Sequence, residues 1–450
     1  MLKKGLLFCI PFRLLKFRRM HLKGTFIILI ALATGVPAFG QFKNIMVDQQ
    51  DGTSGFVYGP AIAINPRQTN NFVAASIPGH VYFTKDTGLT WTQSKLSSPL
   101  VQGDLTVITD GKGSFYYFHP SDATEVQGGS ETEKPEGIVM RKSEDGGETW
   151  AAGEPIAVNN PKDQRQGWAT TDSKGNLFVT WTQFDKNGDT GPDCKSHVMF
   201  SMSKNGKKWS DPFVITQLSG NCAGAGDTPQ GARPAVTYDG KVMVAWSDQG
   251  KLYLDRSFNG GELWLSNDIV VADQPGGSDL KIPGHHLSSG MPVLMTDNSK
   301  GPYRGSLYLV WADQRNGAND TDIWFTRSHN FGDNWSSPAR VNDDGKGKHQ
   351  YLPAMAVDPA TGYLYIIYYD RRNYDDNRTD VYVAYSKDGG ASFKNVLISE
   401  KPFTPEEDVI FVKYNDISAQ RGIIAPIWTR VDDGKTSVWT AVIKQEELGK

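Results

Sequence analysis

Hydrophobic residues occur along this chain in short runs, and polar, glycine-containing segments separate the runs. Many runs end in an aromatic residue, as in Leu307–Trp311, and the next run alternates apolar and polar positions, as in Asp380–Tyr385. A period of two with turn residues on both sides is typical of β-strands. The 47 glycines and 12 tryptophans agree with this, because all-β proteins need many tight turns and buried aromatic anchors. The pattern therefore predicts an all-β fold.

The strand pattern itself repeats along the chain. Each repeat has a short inner strand, a glycine-containing turn, a hydrophobic second strand, an alternating third strand, another tight turn and an outer strand. The predicted inner strands begin near Ala61, Leu105, Gly167, Pro234, Pro292, Pro353 and Asn415. Four-stranded antiparallel sheets repeated about a centre are the blades of a β-propeller, so we expect a single propeller of seven blades. A six-bladed ring with accessory strands is the alternative.

The turn before each outer strand follows the template Ser-x-Asp-x-Gly-x-x-Trp. Its six copies span Thr84–Trp91, Ser143–Trp150, Ser203–Trp209, Ser257–Trp264, Ser328–Trp335 and Ser386–Phe393. The Asp or Asn positions lie 59, 60, 54, 71 and 58 residues apart. A short Asp or Asn side chain accepts hydrogen bonds from backbone N–H groups of its own turn, glycine adopts angles that other residues resist, and the aromatic ring packs back on the hairpin. We therefore assign these residues to the fold and give them no catalytic role.

The seventh repeat has no such turn and only three predicted strands, which are Asn415–Ala419, Ile423–Thr429 and Ser437–Ile443. The segment Asn44–Val47 near the N-terminus has no partner elsewhere in the pattern. We predict that it supplies the fourth strand beside Ser437–Ile443. This pairing would close the ring and remove two open sheet edges.

The first forty residues differ from the rest, with seven Lys or Arg and no Asp or Glu. A short apolar run follows the basic part and ends in small residues before Gln41. This pattern predicts a signal peptide over residues 1–40 and a mature propeller domain over 41–450, secreted or periplasmic. A membrane anchor is the alternative, although the apolar run is short for a bilayer. Translation could start at Met1 or Met20, and Arg18-Arg19 leaves a twin-arginine export route open beside the general one.

Charge and cysteine content follow from this division of the chain. Losing the seven cations would take the formal net charge from −3 to −10, which argues against nucleic-acid binding and against attachment to anionic lipid. Cys194 and Cys222 are the two cysteines left after the signal. In an exported protein we expect them to form a disulfide that contributes about 3 kcal/mol. Two unpaired buried thiols are the alternative.

The six turns resemble the Asp-box, or BNR, repeats of sialidase-like propellers, over about Asn44–Ile443. That superfamily includes exo-sialidases, other glycoside hydrolases and proteins without known activity, and the chain most resembles exported bacterial proteins of the last kind. Sialidases use three arginines, a Tyr–Glu pair as nucleophile and an Asp as acid/base. Their first arginine usually lies in an Arg-Ile-Pro or Arg-Leu-Pro motif, which this sequence lacks: Arg67 follows Pro66, and Arg233 precedes Pro234 in the fourth repeat. No member of the triad can be transferred.

Two loops between second and third strands resemble each other and carry Asp-x-Arg at the strand end, within Trp311–Ile323 and Tyr368–Val381. At the mouth of a central channel they could supply acid/base carboxylates and arginine donors for an anionic sugar. The candidates are Asp313, Asp370 and Tyr369 for catalysis, with Arg315 and Arg372 for substrate binding. The alternative is an internal Asp–Arg pair that stiffens each hairpin. Asp248 and Asp432 occupy comparable loops without the arginine.

Further polar residues precede the inner strands and would converge on the same mouth. Arg165, Arg233 and Asp416 are candidates for substrate binding. His285 and His286 could act as a base or bind a metal, and we select His286 as a catalytic candidate. Neighbouring residues of a strand point to opposite faces, which argues against both ligating one ion.

The segment that contains Asp185, Asn187 and Asp189 has the alternating oxygens of a calcium loop, but its glycine comes one place late and Ser196 replaces the usual Glu. An ordinary polar turn is the alternative, and we expect no other cofactor. Together the sequence favours an exported, monomeric glycoside hydrolase-like propeller whose partner is a carbohydrate. A non-catalytic propeller that binds glycan or protein is the second hypothesis.

Overall fold

The computed structural model describes residues 42–50, 55–96, 103–121, 137–159, 161–224, 226–285, 288–409 and 414–449. Seven four-stranded antiparallel sheets follow one another around a central channel, so the chain forms a seven-bladed β-propeller. The predicted all-β fold is confirmed. The signal-peptide prediction for residues 1–40 lies outside the described residues. No helix in the described part of the chain has the length and apolar character needed to cross a membrane.

The strands are numbered in chain order, starting from β1 (Asn44–Gln49). Blade I contains β2 (Tyr58–Ile64), β3 (Phe72–Ile77), β4 (His80–Thr84) and β5 (Thr92–Gln93). Blade II contains β6 (Thr106–Thr109), β7 (Phe115–Ser121), β8 (Gly137–Ser143) and β9 (Glu154–Val158). Blade III contains β10 (Asp163–Thr171), β11 (Leu177–Phe184), β12 (Ser196–Ser203) and β13 (Phe213–Val214). Blade IV contains β14 (Gln230–Val236), β15 (Val242–Asp248), β16 (Lys251–Ser257) and β17 (Ile269–Asp273).

A short hairpin of β18 (Asp279–Leu280) and β19 (Ser288–Ser289) precedes the fifth blade. Blade V contains β20 (Val293–Thr296), β21 (Leu307–Asp313), β22 (Asp322–Ser328) and β23 (Ala339–Arg340). Blade VI contains β24 (Gln350–Val357), β25 (Leu364–Asp370), β26 (Asp380–Ser386) and β27 (Lys394–Leu397). Blade VII contains β28 (Asp416–Gln420), β29 (Ile423–Asp432), β30 (Lys435–Ala441) and β1, while β31 (Ile443–Lys444) pairs with β29 before a 3-10 turn at Gln445–Glu447.

Strand β1 closes the ring, as predicted. It pairs antiparallel with β30, from Asn44 opposite Ala441 to Gln49 opposite Ser437. The buried Asp48 carboxylate joins β1 to blade I, because it accepts hydrogen bonds from the Ser76 hydroxyl at 2.5 Å and from Tyr82 Oη at 2.7 Å. His80 Nδ1 lies 2.9 Å from the same carboxylate, and Asn44 Nδ2 donates to the Ile398 carbonyl of blade VI at 2.8 Å. One strand thus contacts three blades.

The repeated turns pack each blade on the one before it. In blade II, Asp145 accepts hydrogen bonds from the Ser143 hydroxyl at 2.8 Å and from the Thr149 N–H at 3.1 Å, and Trp150 Nε1 donates to the Gly147 carbonyl. Gly147 has φ +96°, and a Cβ there would lie 2.4 Å from Val73 in blade I. The turn therefore needs glycine both for its backbone angle and for close packing between blades.

Cys194 and Cys222 are joined in a disulfide with a Cα–Cα distance of 5.6 Å. Cys194 lies in the loop between β11 and β12, and Cys222 lies in the connection from blade III to blade IV. The bond therefore fixes that connection against the loop beside it.

Deleting residues 42–48 tests the closure. The deletion removes most of β1 together with Asp48, so we expect the loss of most of the cooperative stability in a thermal melt followed by circular dichroism, because β30 loses its partner strand and the Asp48 contacts to blade I are lost. Met46 in the same strand is 43% exposed, so Met46→Ser is the matched control and should melt like the parent chain. A deletion variant that also melts like the parent chain would refute the closure.

Candidate functional site

Four inner strands contain a β-bulge at the same place, just after they start. The register breaks in β2, β10, β14 and β24. Each break contains a residue with positive φ, namely Gly59 (+58°), Gln166 (+57°), Gly231 (+67°) and Leu352 (+54°). Positive φ is sparsely populated by non-glycine residues, so Gln166 and Leu352 hold a strained backbone. A bulge bends its strand and changes the direction of the side chains that follow it. The four bulges therefore determine which of the following side chains point into the channel.

The inner strands of all seven blades line one central cavity of about 330 Å³. Trp168 of blade III and Arg233 of blade IV follow directly after bulges and contribute to its wall. Tyr414 and Asp416 contribute from blade VII. We call these four residues the mouth cluster, since they lie where the inner strands begin.

The mouth cluster is packed through its aromatic rings. The Arg233 guanidinium lies 3.8 Å from the centre of the Trp168 ring, and the rings of Trp168 and Tyr414 meet edge to face at 5.2 Å. Tyr414 Oη accepts a hydrogen bond from the Leu105 N–H of blade II at 2.9 Å, so it reaches across the mouth. Trp168 and Tyr414 are buried, whereas Arg233 and Asp416 are partly exposed towards the cavity. The charged groups are therefore the accessible part of the cluster.

Burial changes the titration of these groups. It raises the pKa of Asp416 to about 6, although Arg233 and the Ile62 N–H that donates to its Oδ2 at 2.9 Å act in the opposite direction. Burial also lowers the pKa of Arg233, against the charges of Asp416, Tyr414 and Asp104, and raises the pKa of Tyr414 well above its usual value. The phenol of Tyr414 therefore stays protonated at neutral pH, while Asp416 can exchange a proton there.

The loop carboxylates Asp313 and Asp370 lie away from solvent. Asp313 accepts hydrogen bonds from Trp311 Nε1 at 2.7 Å and from Arg315 Nη2 at 2.6 Å, and Asp370 accepts from Arg372 Nε at 2.7 Å. Both carboxylate side chains are 0% exposed. Burial raises the pKa of Asp370 to about 6. These contacts match the internal-pair alternative, because they leave no open oxygen for a substrate.

The loop of blade VII lacks the Asp-x-Arg arginine, as predicted, but Asp432 at the end of β29 pairs with an arginine of the same strand. Arg430 Nε donates to Asp432 at 2.7 Å, so the arginine precedes the carboxylate by two residues and does not follow it. Both orders work, because residues two apart on a strand lie on one face. Asp248 in blade IV has no arginine partner among the described residues, and burial followed by the charge of Asp227 raises its pKa to about 7.

The remaining candidates are dispersed. Tyr369 Oη donates to the Thr429 carbonyl at 2.6 Å and is fully buried, with its pKa raised well above the usual value by burial. Arg165 lies in β10 on the far side of the bulge from Trp168. His285 is buried with its ring edge-on to Tyr351 at 5.4 Å. His286 lies outside the described residues.

The calcium-like segment makes contacts with its own surroundings. Asp185 forms an ion pair with Lys162 at 2.9 Å and accepts a hydrogen bond from the Lys195 N–H, and Asp189 accepts one from the Gly191 N–H at 2.8 Å. In the described ranges, no group of three or more His, Cys, Asp and Glu side chains is placed to hold a metal ion. A calcium ion at this segment stays a prediction.

Trp168 is a residue that the sequence analysis missed. The equivalent positions after the bulges of blades I and VI are Ala61 and Ala354, so an indole here departs from the repeat. Aligning the inner strands on their bulges would have revealed it, because Arg233, which was already a candidate, occupies the same position in blade IV.

Comparisons with known proteins agree on the fold. No protein-family model matches the chain, and no curated protein matches its sequence. An α-L-arabinofuranosidase of Fusarium graminearum matches with a TM-score of 0.52 and 11% identity, over 91% of this chain and 99% of that one. An ulvan lyase solved with a bound -[GlcA(1-4)Rha3S]- oligomer matches with a TM-score of 0.51 and 11% identity, over 90% and 96%. The NanB sialidase of Streptococcus pneumoniae matches with a TM-score of 0.48 and 10% identity, over 84% of each chain. Such identities support the propeller fold alone, so membership of the Asp-box family stays a prediction.

Replacing Asp370 with Asn tests whether the buried pair is structural. The substitution leaves the partly buried Arg372 with only the exposed Asp343 as an ion-pair partner, so we expect the free energy of unfolding to fall by about 2 kcal/mol in urea titrations. Asp376 and Arg378 form a pair of the same spacing in the same loop, but both are more than half exposed. Asp376→Asn is therefore the matched control and should change stability little. Equal stability of the two variants would contradict a structural role for Asp370.

Proposed function

We propose that this protein is a glycan-acting propeller of the glycoside hydrolase type whose reactive centre is the mouth cluster. The observation that carries the proposal is Asp416: a carboxyl whose pKa burial raises to about 6 lies beside the Arg233 guanidinium at the wall of the central cavity. A partly buried carboxyl whose pKa lies near neutral pH, in a cleft and beside a charged partner, is a typical feature of acid/base sites.

The cluster offers an acid, a cation and a hydrogen-bonding group for an acidic sugar. Asp416 can protonate the leaving glycosidic oxygen while a water molecule adds to the anomeric carbon, because a sizeable fraction of Asp416 carries a proton near pH 6. Arg233 can donate paired hydrogen bonds to a sugar carboxylate, and the Trp168 ring beneath it fixes the plane of the guanidinium. Tyr414 remains a protonated phenol and therefore serves as a hydrogen-bonding wall of the site.

The two solved structures with TM-scores above 0.5 are consistent with this proposal. One is named as an arabinofuranosidase and the other as a polysaccharide lyase bound to a glucuronate-containing oligomer. Export to the periplasm or the medium, a carbohydrate partner, the absence of a cofactor and a monomeric state complete the proposal.

A propeller that binds glycan without cleaving it is the second candidate. The observation in its favour is that Asp313 and Asp370 are fully buried in pairs with Arg315 and Arg372, so neither loop adds a free carboxylate to the mouth. Cleavage by two carboxylates would then require a second carboxylate near Asp416. Asp104 is the candidate, because its charge acts on both Arg233 and Tyr414.

A hydrolysis screen separates the two candidates. Sialosides, uronides and neutral aryl-glycosides would be offered to the purified protein, to Asp416→Asn and to Arg233→Gln. We expect turnover of an acidic glycoside that falls about 100-fold or more in Asp416→Asn, because the acid is lost. Asp193→Asn removes an exposed carboxylate elsewhere and should keep full activity. Turnover that survives in Asp416→Asn would exclude this centre, and glycan binding without turnover would favour the second candidate.

The pH profile gives a separate prediction. An acid that must be protonated loses activity as the pH rises through its pKa, so turnover should fall above about pH 6. The positive charge of Arg233 lowers the pKa of Asp416, so Arg233→Gln should shift this falling limb to higher pH. Initial rates from pH 4 to 9 measure both effects. A falling limb that does not move in Arg233→Gln would show that another group titrates.

A further inference from the structure

Two of the six repeated turns depart from the others by an aromatic residue. The second position of the turn is charged or polar in five copies, which have Lys85, Glu144, Lys204, His329 and Lys387, whereas the fourth copy has Phe258. The position before the conserved glycine is Gly146, Gly260 or Gly389 in three copies, whereas the fifth copy has Phe331. The two departures lie in the adjacent blades IV and V.

Phe331 keeps a backbone conformation that disfavours it. Its φ is +59°; at the same position three other copies have glycine, and the first copy has Thr87 with φ +61°. A bulky residue with positive φ is strained, and such strain persists where the side chain has a purpose. The Phe331 side chain packs only in part against the hydrophobic core of blades IV and V, and the rest of the ring faces solvent, so core packing does not account for the whole side chain.

The aromatic residues of the two blades meet on the surface. The Phe258 and Phe331 rings are 6.4 Å apart and nearly perpendicular, and Phe258 is 56% exposed. Tyr238 is 40% exposed and lies close to Phe331. Both rings adjoin Gly305, because a Cβ on that glycine would lie 3.2 Å from the Tyr238 ring and 3.8 Å from the Phe331 ring. We call Tyr238, Phe258 and Phe331 the aromatic platform. The platform lies at the end of the propeller opposite the mouth. Its residues follow the last residues of β14, β16 and β22, whereas the mouth lies where the inner strands begin.

Three cations surround the aromatic platform. Lys241 Nζ lies 4.2 Å from the centre of the Phe331 ring, and the guanidinium carbons of Arg256 and Arg304 lie 4.9 Å and 3.8 Å from the centres of the Phe258 and Tyr238 rings. Lys241 and Arg256 form ion pairs with Asp239 and Asp333. Arg304 is exposed and forms no ion pair with any residue in the described ranges. The surface thus combines exposed rings with a surplus positive charge.

This combination selects the chemistry of the ligand. The area of three rings interrupted by charged side chains is well below the roughly 800 Å² of surface that each partner buries in a stable protein complex. Rings of this size match the apolar C–H face of a pyranose, and an unpaired guanidinium binds a carboxylate or a sulfate through two hydrogen bonds. We propose that the aromatic platform is a binding site for an acidic polysaccharide. This site does not depend on the proposed function of the mouth.

Affinity electrophoresis in gels that contain polygalacturonate, dextran sulfate or neutral dextran tests the proposal. The parent chain should be retarded by an acidic polymer and not by dextran, and the two acidic gels distinguish carboxylate from sulfate. Phe331→Gly and Phe258→Ser should each weaken the dissociation constant about tenfold, equivalent to about 1.4 kcal/mol. Phe331→Gly should also melt no lower than the parent chain, because glycine adopts positive φ freely. A purely structural role for Phe331 would instead lower the melting temperature.

The matched controls are Thr87→Gly, at the same turn position in blade I, and Leu263→Ser, which removes a 73% exposed apolar residue from the turn of Phe258. Both should bind like the parent chain. Asp416→Asn should still be retarded by the acidic polymer, because it leaves the aromatic platform intact. The proposal is overturned if no acidic polymer retards the parent chain, if the platform variants are retarded equally, or if Asp416→Asn alone abolishes retardation. The last outcome would place binding at the mouth and leave the proposed function standing.

Discussion

The pairing of β1 with β30 is the contact on which the rest of the structure depends. Each blade packs on its neighbours through the repeated turn and the second-strand aromatics, but such packing cannot close a ring by itself. An open ring leaves blades I and VII without the hydrophobic packing that they share. In this chain the first strand supplies the missing edge of the last blade, and Asp48 connects it to three side chains of blade I. A single buried carboxylate therefore links the beginning and end of the seven-blade series, and the cavity on the axis exists only because the series is closed.

Most of this fold could be predicted from the sequence, because a propeller repeats local rules. The alternation of apolar and polar residues predicted the strands, the Asp and Gly positions predicted the turns, and the number of inner strands predicted seven blades. The site was harder to predict for a physical reason. Asp313 and Asp370 look like catalytic residues by type and position, but their exposure depends on where Arg315 and Arg372 fold back, and spacing alone does not show this. Arg430 shows the same limit, since it satisfies Asp432 from the opposite side in sequence.

Residues that break the repeat carried more information about the site than residues that keep it. Trp168 and Arg233 occupy a position where blades I and VI have alanine, and Phe331 occupies a position where three of the other turns have glycine. Residues that recur in every blade serve the architecture. A residue that departs from the repeat, and that the fold accepts with strain or with a buried charge, requires another explanation. Arg233 and Asp416 satisfy this criterion, because both titrate away from their usual range at the wall of an accessible cavity.

The position of the closing strand also has a consequence for biosynthesis. Its partner, β30, begins at Lys435, so six blades and the first two strands of the seventh are synthesised before β1 can pair with it. Until then the blades can assemble only as an open arc, in which β1 has no partner strand and blades I and VII lack their shared packing. Closure of the ring is therefore a late event in the folding of the nascent chain.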